Sequence, residues 1–556
     1  MSAKVASTRR ERVNRMALTT ASGVSVPNNG GGSGGNGAEV EEVEETLKTR
    51  GRGKRASAGS LERRSNRTFA VAPDGFLCSD DGETGNPRAI MGPTGVTVLW
   101  TAVAALALAT PGHGMAYTVF QAVVEYYRTL APGPVDAVPD AAYVKQQYDF
   151  VVVGAGSSGS VVANRLTEVA GWSVLLLEAG GEENAMTDVP LLVSYLIGTG
   201  FDWDYRTERQ PGACGAMVDG RCRWPRGKVM GGTSVINYMM YTRGVPDDYD
   251  HWARLGNSGW SYADVLPYFR KSEDLDARIP GGYNLQDHVS MAGLVFLVNQ
   301  SVTIVESRYR SPRYLAQYAI NGNGPYTVPG GAEAVAFTAT RYAVNGSVVP
   351  DMELVFGPGA LTGDTGGSLH RLFGMREDFY ERVYGAHRGH DAWGLVPILL
   401  RPRSRGRVKL RSVNPFQAPL FYAGYLTDRR DRDVLVEGIK QAIAVSETQA
   451  FQKYGSKLLT VPFPSCEQET FGSDPYWACA VGQLTTNLHH QVGTCKMGPD
   501  SDPEAVVNPK LRVRGVSGLR VVDASIMPLL PGGHTNSIAF MIAEKASDMI
   551  KENWLK

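Results

Sequence analysis

The stretch YDFVVVGAGSSGSVVANRL, residues 148–166, decides how the chain is read. A strand-like run at 148–153 is followed at once by Gly154, Gly156 and Gly159, with Ser157 and Ser158 between the last two glycines. Glycine lets such a turn be tight, lets backbone approach a pyrophosphate, and lets the next helix pack close to the strand. From residue 160 apolar positions recur at helical spacing, which aims a helix N-terminus at the phosphates. The next apolar run, WSVLLL at 172–177, ends in Glu178, 19 residues beyond Gly159. A second parallel strand delivers a carboxylate to a ribose diol at that spacing. Strand, turn, helix, strand and terminal acid together predict a dinucleotide site on a doubly wound α/β sheet. Three glycines in an ordinary βα turn do not account for the placed Glu178.

Outward from this unit, 556 residues with 43% hydrophobic content can fill a substantial core. Lys plus Arg and Asp plus Glu stand at 56 each, so no global charge steers the chain to nucleic acid or an anionic membrane. Residues 1–90 are different in kind, with GGGSGG at 30–35, EVEEVEE at 39–45 and TRGRGKR at 49–55, and are expected to be a disordered tail. Within 91–147, the run VTVLWTAVAALALAT at 96–110 holds 15 uncharged residues. It reads as a signal segment, a signal-anchor or a buried helix. Cys214 with Cys222 and Cys466 with Cys479 are spaced for short-loop disulfides, which fits a secreted or luminal compartment. Neither pair has zinc-ligand spacing, so no metal is expected.

Two further segments specify the dinucleotide. RGKVMGGTSVINYMMYTRG at 226–244 offers paired glycines and small polar residues to a flat cofactor, with Val229, Gly232, Thr233, Asn237 and Met240 as candidate contacts. GLRVVDASIMP at 518–528 reads as a short buried strand ending in Asp523, followed by Ala524. An acid at that remove from the first βαβ unit suits the long diphosphate of FAD, which an NAD site does not need.

With these segments and LLLEAGG, NLQDHV (284–289), RPRSRGRV (401–408), HHQVGTCKMG (489–498) and HTN (534–536), the chain resembles the glucose-methanol-choline (GMC) flavin oxidoreductases, in particular the insect glucose-dehydrogenase-like branch. The likeness runs from about residue 148 to 554. It implies FAD, oxidation of the CH–OH group of a small alcohol or sugar, and oxygen or a quinone as electron acceptor. It assigns His490, the histidine directly before QVGTC, as the base that points at the flavin and His534 as its partner, leaves His489 as the adjacent competitor, and adds Thr535 and Asn536 to the cofactor contacts. Neutral imidazole suits the task because it titrates near working pH. The resemblance implies an FAD-binding domain in two pieces, 148–289 and 484–556, around an antiparallel-sheet substrate domain at 290–483. Residues 428–453 are expected to be one helix. Nucleic acid is not expected as a partner, and membrane contact is expected only through residues 96–110.

The likeness breaks where SEDLDARIP (272–280) runs straight into GGYNLQDHV (281–289). A family member carries roughly 150–180 more residues there, a domain's worth. Their absence, near 275–283, is expected to expose sheet strands and remove the cover over the adenine. Losing ~4 kcal/mol of contact weakens binding about a thousandfold. The competing expectation is therefore a flavin-poor, catalytically inactive product.

Overall fold

The computed structural model describes residues 2–4, 141, 143–184, 186–272, 283–343, 349–414 and 416–555. The run at 96–110, almost all of the tail, and the junction at 273–282 lie outside them. The described residues belong to one compact unit.

Strand β2 (Phe150–Val153) pairs in parallel with β3 (Val174–Glu178), in register Phe150 to Val174, and helix α1 (Gly159–Thr167) makes the crossover. The tail was expected to be without structure, yet Ser2–Lys4 forms a strand, β1, antiparallel to β3. Its place is the outer edge of β3, whose backbone groups would otherwise lack partners. Val151 and Val153 on β2 remain 55% and 46% exposed, although the first strand of a doubly wound sheet is normally covered on both faces. Helix α2 (Pro246–Arg254) starts on a proline at its first position, where the missing N–H costs nothing, and α3 (Tyr262–Ser272) follows.

The remainder is built on a second, antiparallel sheet. Strand β4 (Tyr283–Leu285) joins a separate three-stranded sheet, whereas β5 (Val289–Met291), β6 (Val295–Leu297), β7 (Ala334–Thr338) and β8 (Met352–Gly357) lie in the seven-stranded one. At its centre is β9 (Ala392–Leu399), which pairs with β5, β6 and β8. Strand β10 (Gly406–Lys409) belongs to the small sheet, between β4 and β11 (Leu420–Tyr422).

The helix expected over 428–453 is two helices, α4 (Arg429–Ser446) and α5 (Gln449–Gln452). Thr448 is extended between them and its hydroxyl turns back to the Val445 carbonyl, an alternative to continuing the helix. Strand β12 (Lys457–Leu458) closes one sheet edge, helix α6 (Asp474–Gln483) starts on a Ser473 cap, and β13 (Thr485–Asn487) pairs with β5. The last helix, α7 (Thr535–Trp554), packs on α1 and α3. Arg165 of α1 donates to both carboxylate oxygens of fully buried Glu544 on α7, and Lys271 of α3 adds a third contact. Removing one partner of such a pair strands a buried charge, at a cost of about 3–5 kcal/mol. This clamp holds α1, the helix after the glycine turn, and α3 against α7.

Candidate active site

The glycine turn adopts the conformation its sequence demands. Gly154 sits at φ +95°, a left-handed conformation that favours glycine. A Cβ on Gly159 would lie 2.1 Å from the Gly154 carbonyl oxygen, so helix and strand approach as closely as they do only because it is absent. The N–H groups of Gly156, Ser157 and Ser158 make no backbone hydrogen bond among the described residues, which leaves an amide-lined cradle at the start of α1. Glu178 closes the far side, 7% exposed, accepting from the Ala155 N–H at 2.7 Å and the Gly180 N–H at 2.6 Å. Cradle and carboxylate together fit a pyrophosphate and a ribose.

The other predicted cofactor residues reach this turn from far along the chain. Ser157 and Ser234 hydroxyls meet at 2.8 Å, and Ser234 donates to Asn536 Oδ1 at 3.1 Å. Glycine turn, 226–244 loop and α7 are thereby tied at one point. The Gly231 N–H donates to the Ala155 carbonyl at 2.8 Å, setting buried Val229 and Gly232 beside the turn, and Thr233 accepts from the Gly227 N–H at 2.9 Å. Thr535 opens α7 and is buried. Asp523 is buried and caps its own turn, Ala524–Ile526, accepting from the Ser525 N–H at 2.7 Å. Asn237 is used locally, accepting from the Met239 N–H, and Met240 packs with Val355, Ile398 and Leu400 of the antiparallel sheet. Those two are not brought to the glycine turn.

The two histidines come together. His534 is the N-cap residue of α7, and its N–H donates to Thr242 Oγ1 at 2.6 Å. His490 lies three residues beyond β13, and its ring meets that of His534 edge-on, with centroids 4.7 Å apart and planes at 81°. Glu353 of β8 holds His534 Nε2 at 2.9 Å from a carboxylate that is wholly buried. The His490 N–H donates to Asp287 Oδ1 at 2.8 Å, while Tyr425 and Gln491 donate to Oδ2. Burial still pushes the Asp287 carboxyl up to about 6, against those hydrogen bonds. Because β5 and β13 pair, His288, just before β5, comes beside His490, with the two Nδ1 atoms 2.9 Å apart.

Burial, then the neighbouring His534, His288 and His489, holds His490 well below the usual histidine range. Burial pushes His288 and His489 down to about 3. His490 is therefore neutral at physiological pH, and its Nε2 makes no hydrogen bond to a described residue. His489, at φ +63°, gives its carbonyl to Arg226 and leaves Nδ1 buried without a partner. A cleft of about 460 Å³ lined by Thr242, Phe337, Pro350 and Gly532, among others, includes none of these histidines.

Sequence reasoning passed over His288, Glu353 and Asp287. His288 and Asp287 stand inside the quoted NLQDHV motif, which was a signal. Nothing local marks Glu353, 181 residues from its partner.

The disulfides Cys214–Cys222 and Cys466–Cys479 are present, and Cys495 is a buried thiol pushed up to about 11 by burial. Among the described residues no helix is long and apolar enough to cross a membrane.

Family models described as GMC oxidoreductase match residues 148–319 and 402–543. Glucose dehydrogenase [FAD, quinone] of Drosophila pseudoobscura pseudoobscura is 34% identical over 545 residues, covering 73% of this chain and 87% of that protein. The Drosophila melanogaster protein of the same name gives the same figures. Ecdysone oxidase of Bombyx mori is 24% identical, over 80% of this chain and 88% of its own. Since 73% of 556 is about 406 residues, the 545-residue alignment leaves about 140 positions of the glucose dehydrogenase without a counterpart here. Formate oxidase of Aspergillus oryzae superposes with TM-score 0.60 at 19% identity, over 74% of this chain and all of that one. Pyridoxine 4-oxidase of Mesorbium loti gives 0.56 at 20%, over 73% and 99%. These two likenesses are of fold.

Proposed function

The chain belongs to the GMC oxidoreductase family, and from that premise we propose that it oxidises the CH–OH group of a small alcohol or sugar, with His490 as the base. It is an FAD-dependent dehydrogenase or oxidase. When bound, FAD supplies the hydride acceptor. The glycine-turn amides and Glu178 would hold the dinucleotide, with the 226–244 loop and Asn536 joined to the same turn through Ser234 and Ser157. His490 takes the hydroxyl proton at Nε2 while hydride leaves the adjoining carbon. His534, held at Nε2 by Glu353 and edge-on to His490, is the second imidazole and positions the substrate hydroxyl. The Asp287 carboxylate fixes the His490 backbone and so the direction of its ring. The relatives named as using a quinone support a quinone as the acceptor that returns the enzyme to its oxidised state. Two disulfides support a secreted or luminal location.

The observation that carries this reading is the meeting of two buried imidazoles from opposite ends of a long loop, 4.7 Å apart. Rapid mixing without oxygen tests it. His490→Ala is expected to slow reduction of the bound flavin on the order of 10²- to 10⁴-fold while flavin stays in place, and His489→Ala to do much less. Equal effects of the two substitutions would remove His490 from the role.

A second reading, a flavin-poor chain without turnover, is favoured by the roughly 140 unmatched positions and by the exposed valines of β2. Flavin content after gel filtration separates the two.

A further inference from the structure

The contact between His288 and His490 has a chemical consequence. Two imidazole Nδ1 atoms 2.9 Å apart, both buried, are joined by a single proton, so one ring donates and the other accepts. If His288 donates, the proton of neutral His490 sits on Nε2 and that atom is no base. If His490 donates, its Nε2 carries the open lone pair.

The surroundings of His288 decide between these. Its Nε2 is buried without a hydrogen-bond partner, and the Leu400 and Pro531 main chains act on the ring as acceptors. Carbonyls only accept, so they favour a proton on His288 Nε2. A neutral ring with its proton on Nε2 has only a lone pair on Nδ1. His490 must then donate from Nδ1, and its Nε2 is bare. The ring beyond, His534, does not compete, because its Nε2 is taken by Glu353.

We propose that His288 is a positioning residue that fixes His490 in the Nδ1–H tautomer and steadies the imidazolium formed when Nε2 takes the substrate proton. The inference rests on His490 being the base. The step is balanced within the pair: the alcohol O–H bond breaks, an N–H bond forms at His490 Nε2, and the Nδ1–H···Nδ1 hydrogen bond becomes one from a cation. His288 touches neither the alcohol nor the dinucleotide; it acts through His490. A third group that orients a catalytic histidine and stabilises its charged form is a recurring device, and a wrong tautomer is costly.

The test is two-bond proton–nitrogen correlation NMR on the full chain, ¹⁵N-labelled in histidine and supplied with FAD at pH 8. His490 is assigned by its disappearance in His490→Gln. The expected result is His490 protonated at Nδ1 and His288 at Nε2. His288→Leu is expected to release His490 to the other tautomer and to slow flavin reduction on the order of 10- to 100-fold. His288→Asn, whose amide oxygen can accept in place of Nδ1, is expected to restore both. A wild-type His490 protonated on Nε2 overturns the proposal without any variant having to fold, as does a tautomer unmoved in a folded His288→Leu. If instead the tautomers are as stated and His490→Ala reacts at the wild-type rate, the assignment of the base fails and the tautomer lock stands.

Discussion

Acidification from pH 7.5 to 5.5 should destabilise the folded protein by an amount the site itself sets. His288 and His489 are held at about 3 and His490 well below its ordinary value, chiefly by burial. In the unfolded chain each titrates near 6.5, so below that pH the unfolded state takes up protons the folded state refuses, and stability falls as pH falls. At pH 5.5 each imidazole contributes a loss of about 1.4 kcal/mol, together about 4 kcal/mol. Asp287 opposes them, because its carboxyl at about 6 binds a proton in the folded state before the unfolded chain does, which returns about 0.8 kcal/mol over the same interval. His370 also opposes: burial lowers its pKa, but the Asp364 and Glu377 carboxylates outweigh burial and raise it. A net loss of about 3 kcal/mol is a large part of the stability of a typical domain. Thermal unfolding followed by tryptophan fluorescence across this range is the assay, with His489→Gln flattening the slope by about one proton. A melting temperature that is flat or rises towards pH 5.5 would refute the placing of three neutral, buried imidazoles.

Gly159→Ala should break the approach of α1 to β2, since the new methyl would meet a carbonyl oxygen at 2.1 Å; a loss of about 1–3 kcal/mol and of retained flavin is expected in thermal shift and absorbance, and unchanged values would mean the turn is looser than described. Opening the Cys466–Cys479 loop, 13 residues in span, by double replacement with serine should cost about 3 kcal/mol in denaturant unfolding. Peptide mapping of the unreduced secreted protein should show both disulfides, and free thiols at the four positions would remove the support for an oxidising compartment.

What the sequence made legible is what depends on local spacing. Three glycines, Glu178 at its fixed distance and the HTN and HHQVGTC segments carry their geometry with them, because turn, strand and helix terminus are decided within a few residues. The close cysteine pairs are legible for the same reason. The contacts of His288, Asp287 and Glu353 were not, because their partners lie 202, 203 and 181 residues away and meet only through the pairing of β5 with β13 and the reach of Glu353 on β8 to His534 at the start of α7. The break at Thr448 was hidden by apolar periodicity that continues across it, while a single hydroxyl and one extended residue end the helix. Ser2–Lys4 carries no strand signal of its own, and the open edge of β3 supplies the pairing.

With about 140 positions of the glucose dehydrogenase unmatched, this chain is still expected to oxidise an alcohol through FAD. The measurement that tests it most directly is the visible spectrum of the purified chain in excess FAD, taken without oxygen before and after glucose and small primary alcohols. At least one donor is expected to bleach the oxidised flavin band, a quinone to restore it, and His490→Ala to stay coloured. A bound flavin band that no alcohol or sugar bleaches, or a protein that takes up no flavin at all, would contradict it.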